Sequence, residues 1–186
     1  MSKNYKAIGE DIFKNKVEKI SLEFFIFTYG SMVIQLIKDY DDYTMVNTTL
    51  EKLGYNMGIR LVDDFLSITQ FKPCTDFKNV MEILTKVGFK VYLNIVPQLD
   101  FQSEIQCTLT LTDNPLAENV ELPPDAIENG LWYSNWMTGV IRGALEQIQF
   151  IVTTEFTRDV LRGDDTTEIV VTLIKIADEN VLAPED

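Results

Sequence analysis

IQCTLTLT, residues 105–112, is the stretch that decides the fold class. Ile105, Cys107, Leu109 and Leu111 alternate with Gln106, Thr108, Thr110 and Thr112, the period of two expected of a strand with one buried face. Before Pro97 the rhythm is different. Apolar residues there recur at spacings of three and four, the signature of helices, so the chain changes from helical to extended near Pro97.

Upstream, ISLEFFIFTYGSMVIQLIKD, residues 20–39, is apolar almost all round, which predicts a helix buried on most sides. Asp41 and Asp42 break the pattern and Thr44 can cap a second helix. Its stripe is Val46, Leu50, Leu53, Met57, Leu61, Phe65 and Ile68, and Gly54 and Gly58, one turn apart, admit a close neighbour. A third helix starts at Thr75 or Asp76 with the stripe Phe77, Val80, Leu84, Val87, Gly88 and Val91.

Downstream, DNPLAENVELPPD, residues 113–125, reads as a structured turn region. Ser134 can cap a fourth helix reaching about Gln149, with Met137, Val140, Ile141, Leu145 and Ile148 inward and Gly139 and Gly143 forming a smooth face. Two strands follow, over about 152–160 and 166–176, joined through LRGDD as a hairpin. Helices and strands segregated in this way predict an α+β layer, an antiparallel sheet of about four strands with four main helices on one face. The expected organisation is a variable, partly disordered arm at 1–19, one domain over 20–177, and an acidic tail at 178–186.

Composition narrows the chemistry. The chain has 186 residues, 46% of them apolar, enough for one domain with a real core. It contains no histidine and only two cysteines, which excludes Ser-His-Asp and Cys-His catalysis and leaves no thiolate-imidazole metal site. Neither GxxxxGK[ST] nor GxGxxG occurs, so no catalytic residue and no metal ligand is assigned. Two cysteines of different local character suggest a reducing, cytoplasmic setting without a disulfide framework. Net charge is −13, all of it in residues 91–186, which hold 4 bases against 17 acids. Nucleic acid is a poor partner for such a chain, and a basic protein surface would suit its acidic half.

Cys74 and Cys107 differ in setting. Cys107 lies on the inward face of the strand and reads as an inert core thiol. Cys74 follows Pro73 at the mouth of the third helix, where the field of the helix N-terminus and Lys72 favour thiolate over thiol. That is either a reactive position or a small apolar residue in a loop. Asp63 and Asp64 are adjacent on a helix and diverge by about 100°, so they do not converge on a metal ion. Arg142 and Glu146 are read as a surface or interface ion pair, and Trp132, Tyr133 and Trp136 as either a partner patch or core.

GIRLVDDFL, KPCTDF, DNPLAENVELP, YSNWMTGVIRGALE and GDDTTEI resemble, in order and spacing, the small-subunit family of the TRAPP vesicle-tethering complex, and within it the acylated Bet-three-type core subunits. The likeness runs from about residue 20 to residue 182. It implies an α/β-plait fold and dimerisation through the helical layer, as a homodimer or a heterodimer with a related small subunit. It implies a non-catalytic place in a complex that tethers vesicles between endoplasmic reticulum and Golgi and exchanges nucleotide on a Rab GTPase. Peripheral association with cis-Golgi and endoplasmic reticulum membranes would then come through the complex. By its position in KPCTDF, Cys74 matches the family's palmitoylated cysteine, whose acyl chain fills an internal tunnel. Val80, Leu84, Val87, Gly88 and Val91 are the tunnel candidates, Gly88 foremost because it follows Cys74 by four helical turns. Gly54 and Gly58 are the dimer-interface candidates, and Asp178 and Glu179 the candidates for contact with the GTPase. Two departures stand out: Pro73 occupies the position of a basic residue before the cysteine, and GDD replaces a more usual GDG. The alternative to a complex subunit is a freestanding carrier or sensor of an acyl or lipid ligand using the same cavity.

Overall fold

In the computed structural model, which describes residues 4–72 and 74–177, the period change near Pro97 marks the passage from helices to sheet. The helices are α1 (Tyr5–Asn15), α2 (Leu22–Asp39), α3 (Tyr43–Thr69) and α4 (Phe77–Ile83), the last continuing through a π turn (Leu84–Gly88) into α5 (Phe89–Leu93). Strands β1 (Gln98–Phe101) and β2 (Gln106–Leu111) come next, then α6 (Pro124–Glu128) and α7 (Trp136–Gln147). Strands β3 (Phe150–Arg158) and β4 (Thr167–Ile176) close the domain, joined through a 3₁₀ turn at Val160–Arg162.

The four strands pair antiparallel in the order β1-β2-β4-β3. Cys107 faces Val171 and Leu109 faces Ile169 across β2 and β4, and all four are buried. With Phe150, Val152 and Phe156 of β3 they form the floor on which α3, α4 and α7 pack. Ile105, expected on this buried face, lies just before β2 and is exposed; its carbonyl accepts from Leu173 N at 2.7 Å.

Four expectations need correcting. Helix α2 is buried on one side only, through Ile26, Tyr29 and Val33, whereas Phe24 and Phe27 are 66% and 69% exposed. Apolar residues all round a helix do not place it in a core when only one layer lies beneath it. On α3 the buried stripe is Val46, Leu50, Gly54, Gly58 and Val62, with Leu53 and Met57 turned outward. Residues 5–15, expected as part of an arm, form α1, whose Tyr5 and Ile12 pack on Val87 and Val91.

Gly54 and Gly58 are the fourth. They do not face a partner chain but meet α7 within the molecule. A Cβ on Gly54 would lie 3.0 Å from Val140 N and closer still to Trp136 O. A Cβ on Gly139 would lie 2.7 Å from Tyr55 N and closer to Glu51 O. Two glycines on each helix thus allow backbone-to-backbone contact along the whole crossing. Arg142 fastens the seam: its guanidinium donates from Nε to Glu51 Oε1 at 2.7 Å and lies 4.3 Å from the centre of the Tyr55 ring. Glu146, its expected partner, is secondary at 3.7 Å. Tyr133 and Trp136 belong to the core, while half-buried Trp132 stacks on Phe156.

Candidate functional site: an apolar cavity beside Cys74

Beside the seam, the later part of α3 and the flank of α7 next to its glycines form two walls of a cavity, and α4, the π turn and α5 form a third. The half-open space between them is about 500 Å³, within the usual size of a small-molecule site of roughly 300–1,000 Å³. Leu61, Val62 and Phe65 line it from α3, and Trp136, Met137, Val140, Ile141, Ala144 and Leu145 from α7. The third wall supplies Val80, Leu84, Gly88 and Phe89. Lys72, Cys74 and Thr75 stand at the rim; Lys72 and Thr75 are exposed and Cys74 is half-buried.

Of the five sequence-based tunnel candidates, the structure brings three to the cavity. Val87 and Val91 point away from it, into the small cluster under α1. The π turn is the reason. Its wider turn shifts the stripe, so that Gly88 rather than Val87 follows Leu84 on the cavity side, and α1 covers the other face. Gly88 is there because of space: a Cβ on it would meet only Leu84 Cδ1, at 3.6 Å. The four-turn reckoning from Cys74 does not apply, because Cys74 precedes the helix, whose N-cap is Asp76 accepting from Asn79 N at 3.2 Å. Both residues still face one cavity.

Cys74 Sγ accepts from Asn79 Nδ2 at 2.9 Å, and Asn79 Oδ1 in turn accepts from Tyr5 Oη at 2.6 Å. Cys107 is fully buried among β2 and β4, and burial pushes its thiol up to about 12. One cysteine is therefore accessible at the edge of an apolar void, and the other is held neutral in the core. A thiol so placed can carry an acyl group as a thioester whose chain lies in the void. Asp64 serves locally, accepting from Tyr92 Oη at 2.7 Å. Asp178 and Glu179 lie outside the described residues.

Sequence reasoning missed the walls from α3 and α7 because it followed the helix that carries the cysteine. The signal was present in α7, where 136, 140 and 144 run beside 137, 141 and 145 as two turn-spaced rows. What one chain did not show was which row would meet a void.

Residues 25–172 match the family described as "Transport protein particle (TRAPP) component", and the chain belongs to that family. It is 53% identical over 183 residues to the transport protein particle subunit bet3 of Schizosaccharomyces pombe, covering 97% of both chains. It is 46% identical to the trafficking protein particle complex subunit BET3 of Saccharomyces cerevisiae, over 100% of this chain and 97% of that one. Among solved structures it is similar to a trafficking protein particle complex subunit 3 from Naegleria fowleri covalently bound to palmitic acid. That similarity has a TM-score of 0.82 and 41% identity, over 87% of this chain and 100% of the other.

Proposed function

We propose that this chain is a non-catalytic, Bet3-type core subunit of a TRAPP complex, carrying a palmitoyl thioester on Cys74 whose chain fills the cavity. The observation that carries this reading is the accessible sulfur at the rim of an apolar void of about 500 Å³. The covalently bound palmitic acid in the Naegleria fowleri relative supports the same chemistry. At about 0.8 kcal/mol per buried CH₂, such a chain contributes roughly 10 kcal/mol before ordering costs, so it acts as core filling and not as a membrane anchor. Among the described residues no helix is long and apolar enough to cross a membrane.

Intact mass measurement of the complex from its native source, before and after hydroxylamine, tests the modification. The expected result is one hydroxylamine-labile palmitoyl mass mapping to Cys74, with Cys107 unmodified. A label on Cys107, or none at all, overturns it.

As a subunit, the chain pairs with itself or with a related TRAPP small subunit. The outward faces of α2 and α3 suit that role, with Phe24, Phe27, Ile34, Leu53 and Met57 all exposed. The freestanding carrier is not favoured, since the relatives named as subunits of a particle match this chain nearly end to end. Within the complex the protein serves vesicle tethering between endoplasmic reticulum and Golgi, peripheral to both membranes, and guanine-nucleotide exchange on a Rab GTPase. Asp178 and Glu179 are assigned to the GTPase contact by resemblance. Truncation after Ile176 is expected to spare assembly and slow exchange by the reconstituted complex; an unchanged exchange rate removes the tail from the mechanism.

A further inference from the structure

The site has a feature that its role as a lipid pocket does not require. Helix α1 packs against the outer side of the cavity wall, across the π turn. Tyr5 and Ile12 are buried there, and a Cβ on Gly9 would lie 3.3 Å from Val87 Cα and closer to Lys86 O. Glu10 pairs with Lys90 at 2.9 Å. From the first turn of this helix the Tyr5 hydroxyl reaches over the start of α4 and donates to Asn79 Oδ1 at 2.6 Å. The Tyr5 ring sits edge-on to Phe71 with centroids 6.0 Å apart, a contact that helps to aim the hydroxyl.

An Asn side chain with its oxygen engaged by a hydroxyl donor turns its two N–H groups the other way. Here one of them meets Cys74 Sγ at 2.9 Å. We propose that α1 positions the acylated thiol: Tyr5 fixes the Asn79 amide, and Asn79 holds Cys74 Sγ at the cavity rim. This rests on the reading of Cys74 as the acylation site. Asn79 and Tyr5 are positioning residues that exchange no atom with the acyl donor. In the step itself the sulfur, having lost its proton to solvent, attacks the carbonyl of a long-chain acyl-CoA. The S–C bond to Cys74 forms as the C–S bond to coenzyme A breaks, the leaving thiolate takes up a proton, and nothing is oxidised or reduced. A sulfur held in one place meets the donor carbonyl with its entry path to the cavity already aligned. The link also makes the docking of α1 felt at the thiol.

The test uses the full chain stripped with hydroxylamine, with variants Tyr5→Phe, Asn79→Ala and the pair together. Tyr5→Phe removes one oxygen and keeps the ring against Phe71. Two rates are followed by mass: acylation by palmitoyl-CoA and alkylation of Cys74 by iodoacetamide. Each single variant is expected to lower the maximal acylation rate by roughly three- to tenfold, the effect of one hydrogen bond, with the half-saturating donor concentration unchanged. The double variant should be no slower than Asn79→Ala alone, because the hydroxyl acts only through the amide. The alkylation rate should show the same dependence, with Tyr5→Phe changing it only while Asn79 is present. Wild-type protein that refuses the acyl group counts against the palmitoyl reading, and alkylation then still decides the relay. Tyr5→Phe matching wild type in both rates, or single effects that multiply in the double variant, overturns the proposal.

Discussion

Where α3 and α7 cross, Gly54, Gly58, Gly139 and Gly143 bring peptide groups into contact. In the neighbouring wall, the missing side chain of Gly88 leaves room that none of the described residues fills. Glycine in a helix interior is unfavourable by about 1 kcal/mol relative to alanine, so all five positions pay the same local penalty. They differ in what the absent side chain permits. At the seam it permits a second backbone, which Arg142, Glu51 and Tyr55 then fasten from outside. At Gly88 it permits a volume, bounded by the same α7 that is clamped at the seam. The tight crossing and the void share α7: Gly139 and Gly143 face α3 at the seam, while Met137, Ile141 and Leu145, interleaved with them along the same helix, line the cavity.

Three substitutions probe this contrast, in falling order of expected damage to stability. Gly139→Ala drives a Cβ into Glu51 O and Tyr55 N, backbone atoms that cannot rotate away. It should lower unfolding stability by about 3 kcal/mol in urea titration. A loss below about 0.5 kcal/mol, the range of an ordinary surface change, would mean that the crossing is loose. Gly9→Ala presses on Lys86 O in the same manner, but α1 is peripheral and can ride outward, so a loss of about 1 kcal/mol is expected. Equal losses at Gly9 and Gly139 would erase the distinction between a fixed and a yielding contact. Gly88→Leu should leave stability within about 1 kcal/mol of deacylated wild type, since helix propensity improves and the side chain enters empty space. It should nonetheless abolish retention of the acyl group, read by intact mass. Collapse of stability with acylation intact would make Gly88 a packing residue.

The same contrast shows how far the sequence could be read. The change of period near Pro97, the alternation in β2 and the helical stripes each report one element's burial, so class and element order were legible. Cys107 as a core thiol was legible for the same local reason, and the N-cap was narrowed to Thr75 or Asp76, of which the structure uses Asp76. Both glycine pairs, 54/58 and 139/143, stood out as smooth faces, yet their mutual contact joins positions some 85 residues apart, and spacing along the chain carries no such pairing. Assigning 54/58 to a partner chain followed from that gap. Val87 and Val91 were misplaced because a stripe counted at 3.6 residues per turn does not register a π turn. Helix α1 was invisible because its buried set, Tyr5, Gly9 and Ile12, is sparse within a polar segment. The relay from Tyr5 through Asn79 to Cys74 spans three separate positions and had no sequence signature.

The central claim is that the cavity is completed by an acyl chain on Cys74, and thermal unfolding of one preparation before and after hydroxylamine tests it most directly. The released chain is removed on albumin, and mass spectrometry confirms that only the thioester has gone. At a few degrees per kcal/mol for a domain of this size, loss of the buried chain should lower Tm by about 10 °C or more. An unchanged Tm, with the palmitoyl mass lost, would contradict the account and place the acyl chain outside the fold.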